Sequence, residues 1–108
     1  MISVRIYRRG YAVSMEGHAG GQRNPEGHDL VCCAASALLY AYLATLQEMG
    51  VKVDHTDNLA SGKQDGPARV RAYPNDSQRI GVMHRLQMLE DGLTYLAATY
   101  PDCINIQF

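Results

Sequence analysis

Apolar and polar residues alternate along Ile2-Ser3-Val4-Arg5-Ile6-Tyr7 and again from Tyr11 to Met15. Ile2, Val4 and Ile6 share one face of a first strand, and Tyr11, Val13 and Met15 share one face of a second. Arg9-Gly10 marks a tight turn between them, so residues 2–17 read as a β-hairpin. From Leu30 to about Met49 the period changes to that of a helix. Val31, Ala35, Leu38, Leu39, Tyr42, Leu43 and Leu46 recur at three- and four-residue spacing and form one broad apolar face. Asp29 is the expected N-cap, because a carboxylate there accepts orphan N–H groups of the first turn. Gly50 is the expected stop.

Alternation resumes at Val51-Lys52-Val53-Asp54, a third strand reaching toward Leu59, and returns in a fourth from Ala68 to Tyr73 after a turn over 61–67. Pro74-Asn75-Asp76-Ser77 caps a second helix running to about Tyr100, with Val82, Leu86, Leu89, Leu93, Leu96 and Tyr100 as its stripe. Gly81 and Gly92 each weaken it by up to about 1 kcal/mol relative to Ala, so packing must hold it. Pro101 ends it, and Cys103 to Phe108 alternates as a last strand. The order β-β-α-β-β-α-β predicts an α+β fold in one domain, residues 1–108, with both helices on one face of a mostly antiparallel sheet.

Composition narrows the function classes. A chain of 108 residues with net charge −1, ten basic against eleven acidic side chains, lacks the basic excess usual in nucleic-acid domains. No direct nucleic-acid contact is expected. No window offers the roughly 18 uninterrupted apolar residues of a membrane span, and the N-terminus reads as a strand rather than a signal peptide. No membrane association and a cytoplasmic location are therefore expected. Three cysteines, two of them adjacent, are buried small hydrophobes or reactive groups in a reducing compartment.

The chemistry concentrates in Gly17-His18-Ala19 and Gly27-His28-Asp29-Leu30-Val31-Cys32-Cys33-Ala34-Ala35-Ser36. Residues 19–28, with Gly20, Gly21, Pro25, Gly27 and His28, read as a mobile loop joining the hairpin to the first helix. A free thiol titrates near ~8.5 and attacks only as thiolate. Placed three residues after an N-cap at Asp29, Cys32 would feel the positive end of the helix. Unoccupied N–H groups of that turn would then receive an oxyanion. His18 can pair with the thiolate and later protonate a leaving amine. The bland reading makes Cys33 and Cys103 core filler, His28 a loop or supporting residue, and Asp29 simply a cap. Zinc on His18, His28, Cys32 and Cys33 is disfavoured, since neighbouring helical cysteines diverge by about 100° and no paired C-x-x-C exists. A Cys32–Cys33 redox pair lacks the same spacing.

These two motifs resemble those of the ribosomal-processing cysteine protease family (Prp, also called YsxB-like): Gly-His-Ala, then His-Asp-apolar-Val-Cys-Ala-x-x-Ser. Length and element order are similar too, so the resemblance covers the whole chain. It implies a cysteine endopeptidase with His18 as base and Cys32 as nucleophile, Asp29 and Ser36 in support, and the 19–28 loop reordering around substrate. It further implies a bacterial homodimer that needs no cofactor or metal. The implied substrate is the N-terminal extension of a large-subunit ribosomal protein, removed during ribosome assembly. Cys33 departs from the family pattern, which usually has Ala there. The chain also ends Ile104-Asn105-Ile106-Gln107-Phe108, similar to the Leu-Asn-Leu-Gln-Phe-Phe stretch at which the family cuts. Periodicity favours a strand for this tail; product mimicry is the sharper alternative. The rival function is a non-catalytic dimeric ribosome-assembly or RNA-associated module with structural cysteines, which would not require His18, Asp29 and Cys32 beside a glycine-rich loop.

Overall fold

The computed structural model describes residues 1–17, 25–56 and 68–108, and of residues 25–30 the backbone only. Strand β1 (Ile2–Tyr7) leads through a single 3-10 turn at Arg8–Gly10 into β2 (Ala12–Gly17). Helix α1 (Pro25–Glu48), strands β3 (Lys52–Thr56) and β4 (Ala68–Tyr73), helix α2 (Arg79–Thr99) and strand β5 (Ile104–Gln107) follow. The sheet order is β3-β4-β2-β1-β5. All neighbours are antiparallel except β1 and β5, which run parallel with Ile2 opposite Ile104. A parallel pair needs a crossover; α2 provides it, carrying the chain from β4 past β2 and β1 to the far edge.

Period-2 alternation decides which face is buried. Ile2, Val4 and Ile6 of β1, Val13 and Met15 of β2, and Ala68, Val70 and Ala72 of β4 are buried together with Val31, Ala35, Leu39, Tyr42 and Leu46 of α1 and Val82, Leu86, Leu89 and Leu93 of α2. Each large side chain so buried contributes roughly 1.5–3 kcal/mol. Both helices therefore cover one face, as the pattern predicts. The stretch Val31–Glu48 is long and apolar enough, by length and composition, to cross a membrane; in this fold its apolar stripe lies in the core. Gly92 lets the helices approach, since a Cβ there would stand 3.0 Å from both Leu38 methyls.

The ends of the elements refine the sequence reading. Helix α1 begins at Pro25, so Asp29 is its fifth residue and not its N-cap, and Gly27 and His28 belong to the helix rather than to a loop. Proline fits the first helical turn because its φ is preset and its missing N–H would have had no partner there. Gly20 and Gly21 lie outside the described residues. At the other end Gly50 takes φ +72, with Gly50 N–H on the Gln47 carbonyl at 3.0 Å and Val51 N–H on that of Leu46 at 3.0 Å, the double bond of a Schellman cap. Helix α2 starts at Arg79, and the residues before it form the expected cap. The Asn75 side-chain oxygen accepts from Gln78 N–H at 3.0 Å while Gln78 Oε1 accepts from Asn75 N–H at 3.1 Å, a reciprocal pair of capping-box type. Strand β3 is described to Thr56, and the turn expected over 61–67 lies outside the described residues.

The β1–β2 connection is braced from three sides. Arg8 forms a two-pronged pair with Glu90 of α2, Nε to Oε1 at 2.8 Å and the second nitrogen to Oε2 at 3.0 Å. Glu90 is 3% exposed, so its carboxylate is buried against the Arg8 guanidinium. The hydrogen bond and then the charge of Glu90 raise the Arg8 pKa above its ordinary value. The Phe108 ring lies 4.7 Å from the guanidinium. Tyr11 is held at φ 51, an uncommon conformation for a bulky residue, and its carbonyl accepts from the Tyr42 hydroxyl at 2.8 Å and from Ala72 N–H at 3.3 Å.

Candidate active site

Helix periodicity separates the two adjacent cysteines. Cys32 is half-buried and packs against the core, whereas Cys33 is exposed, as a turn of about 100° per residue requires. Cys32 lies a little over two turns into α1. This corrects the expectation of a thiol in the first turn: its backbone N–H belongs to the intrahelical ladder, and the helix-end field fades within the first turn. An oxyanion hole built from the first turn does not follow from this placement.

Cys32 instead opens into a small pocket of about 30 Å³ with Ser36, one turn further along α1, and Ala35 on one side and Ile2, Met15, Glu16 and Gly17 on the other. Gly17 closes β2 with φ +96, and a Cβ there would fall on the Met1 carbonyl oxygen. Only glycine serves at this point, for both conformation and space. It is the residue before His18. His18 itself lies outside the described residues, as do the side chains of His28 and Asp29. Cys103 is half-buried, and its carbonyl accepts from Ile2 N–H at 2.8 Å, so it serves the start of β5.

Sequence reasoning did not single out Ile2, Met15 or Glu16 as lining the thiol pocket. Their signal was available in part, since Ile2 pairs with Gly17 once the hairpin register is set. The C-terminal tail is a strand, β5, and Phe108 rests on Arg8, at the end of β1 opposite to the one that Ile2 and Gly17 occupy. A groove of about 330 Å³ lies on the other face of the sheet, around Arg5, Tyr7, Ser14 and Arg69. The thiol is not part of it.

Several solved structures share this fold. The essential ribosomal processing protease Prp of Staphylococcus aureus in complex with a substrate peptide superposes with a TM-score of 0.76 at 24% identity, over 99% of this chain and 98% of that one. The same protease with a covalently linked product peptide gives 0.69 at 21%, over 98% and 95%. A protein from Streptococcus mutans gives 0.70 at 24%, over 99% and 92%. No curated protein matches the chain. The model of the family described as cysteine protease Prp matches residues 1–105. The chain belongs to this family of cysteine peptidases.

Proposed function

We propose that this protein is the endopeptidase that removes the N-terminal extension from a large-subunit ribosomal protein precursor, acting as a cytoplasmic homodimer through Cys32 and His18. The observation that carries the assignment is the shared pocket of Cys32 and Gly17, because His18 directly follows Gly17 in the chain. The half-buried thiol is sheltered yet reachable, and Cys33, turned to solvent, has no such neighbourhood. The S. aureus protease with its covalently linked product peptide supports a covalent route for the family.

In this reading His18 takes the Cys32 proton, and the thiolate attacks the scissile carbonyl carbon. The tetrahedral oxyanion collapses as the C–N bond breaks, and His18 delivers its proton to the leaving amine. The N-terminal extension remains as a thioester on Cys32. His18 then deprotonates a water, which attacks the thioester, releases the extension as a carboxylate and returns the proton to the thiol. Asp29 and Ser36 have supporting roles, Ser36 from within the pocket.

The test is incubation of the full chain with the extension-bearing ribosomal precursor encoded in the same genome, read by mass spectrometry. A single cut that frees the extension is expected. An intact precursor, or cuts scattered through the mature part, would refute the substrate assignment.

A further inference from the structure

The net charge of −1 conceals an uneven distribution. On the sheet face away from the helices, β2 presents two small side chains, Ala12 and Ser14, and beyond them the exposed carboxylate of Glu16 beside Ser3. The strands on either side present long ones. The register sets Arg5 of β1 and Arg69 of β4 on either side of Ser14, and Tyr7 and Arg71 on either side of Ala12. A trough results, floored by β2 and walled by β1 and β4, with a volume of about 330 Å³. With strands ~4.8 Å apart, its walls stand about 10 Å from each other at the backbone, and Arg69 and Arg71 repeat about 7 Å apart along one wall.

Arg5, Tyr7, Arg69, Arg71 and Tyr73 are all exposed. The Arg71 guanidinium lies 5.4 Å from the centre of the Tyr73 ring, which presents a stacked cation-aromatic pair at the rim. Lys52 faces Tyr73 from β3, while Asp54 faces Arg71 and offsets part of its charge. Among the described residues no exposed aliphatic side chain lines the trough: Val13 and Val70, which also line it, are buried. An apolar peptide would find only the two tyrosine rings to bury against. A chain of phosphates with flat bases would find guanidinium donors, a hydroxyl and two exposed tyrosine rings, which is how single strands are held.

We propose that this open sheet face binds single-stranded RNA, through a site separate from the Cys32 pocket and independent of the substrate assigned to it. It revises the expectation drawn from overall charge, because the fold gathers Arg5, Arg69 and Arg71 where the sequence disperses them.

The test uses fluorescence anisotropy of a labelled ten-nucleotide RNA of mixed sequence, at low and moderate salt. Wild-type protein is expected to bind with strong salt dependence. The double variant Arg5→Glu/Arg69→Glu should weaken binding at least tenfold. It should also lower the salt slope by about 1.4, at roughly 0.7 per phosphate contact. Tyr7→Ala/Tyr73→Ala should weaken binding about fivefold or more with the salt slope kept, which a purely ionic surface would not show. Cleavage of a short peptide by the same variants, expected unchanged, shows that they fold. The proposal fails if wild-type protein does not bind, if the charge-reversed variant binds as well, or if polyglutamate displaces the RNA at equal charge concentration.

Discussion

The two ends of the β1–β2 hairpin are built on different principles. At the turn end, a buried carboxylate, an aromatic ring and a tyrosine hydroxyl converge from α2, β5 and α1 on Arg8 and Tyr11. At the open end, Ile2, Gly17 and Cys32 meet around a small pocket, and among the described residues no ion pair joins them. The braced end holds the hairpin against both helices. The other end, held by the burial of Ile2 and Met15 rather than by an ion pair among the described residues, presents a thiol and the chain leading into His18. Stability and chemistry should accordingly respond to different substitutions.

The largest separation is expected at His18. His18→Ala should lower kcat/KM by about 10²–10⁴-fold, the usual worth of a positioned acid-base group, with Tm unchanged within error. If Tm fell instead, the residue would belong to the scaffold. At the braced end the pattern should invert. Arg8→Ala leaves the buried Glu90 without its cation, so it should give the larger fall in Tm of the two turn-end substitutions, with kcat/KM for a short peptide kept within about threefold. Tyr42→Phe removes one hydrogen bond and leaves the Ala72 N–H on the Tyr11 carbonyl, costing about 1 kcal/mol, or roughly 4–8 °C in Tm. Thermal denaturation of the two variants side by side checks the order.

A smaller effect appears in alkali. Burial, and secondarily Tyr11, push the Tyr42 phenol above its ordinary value of 10.0. Above about that pH the unfolded chain releases this proton while the folded protein keeps it, so stability is complete below it and falls as pH rises. Denaturant titrations from pH 9 to 11 should show that fall, and Tyr42→Phe should flatten it.

Much of this architecture was legible because local periods and global burial agree. The strands and the core stripes of α1 and α2 follow from alternation and three-four spacing, whereas the preference for Cys32 over Cys33 rests on its spacing from Asp29 and its match to the family motif; the helical period accounts for their different exposure. The start of α1 was misplaced because Asp29 looks like an N-cap and Gly27 like a breaker, whereas Pro25 opens the helix in the structure. That error also supplied the idea of an oxyanion hole in the first turn, which falls with it. The pairing of β1 with β5 and the Arg8–Glu90 bridge join residues about a hundred and 82 positions apart, beyond the reach of any local pattern. The cationic trough was hidden for a related reason: alternation marks Arg5, Arg69 and Arg71 as outward-facing, but only the strand order β4-β2-β1 makes them neighbours.

The central claim is that Cys32, and not its neighbour, is the nucleophile. The most direct measurement is kcat/KM of Cys32→Ala and Cys33→Ala on one peptide spanning the precursor's cleavage site, with wild-type protein alongside. Cys32→Ala should abolish cleavage, a loss of at least about 10⁴-fold, while Cys33→Ala stays within about twofold of wild type. Retained cleavage in Cys32→Ala with its loss in Cys33→Ala would contradict the assignment outright.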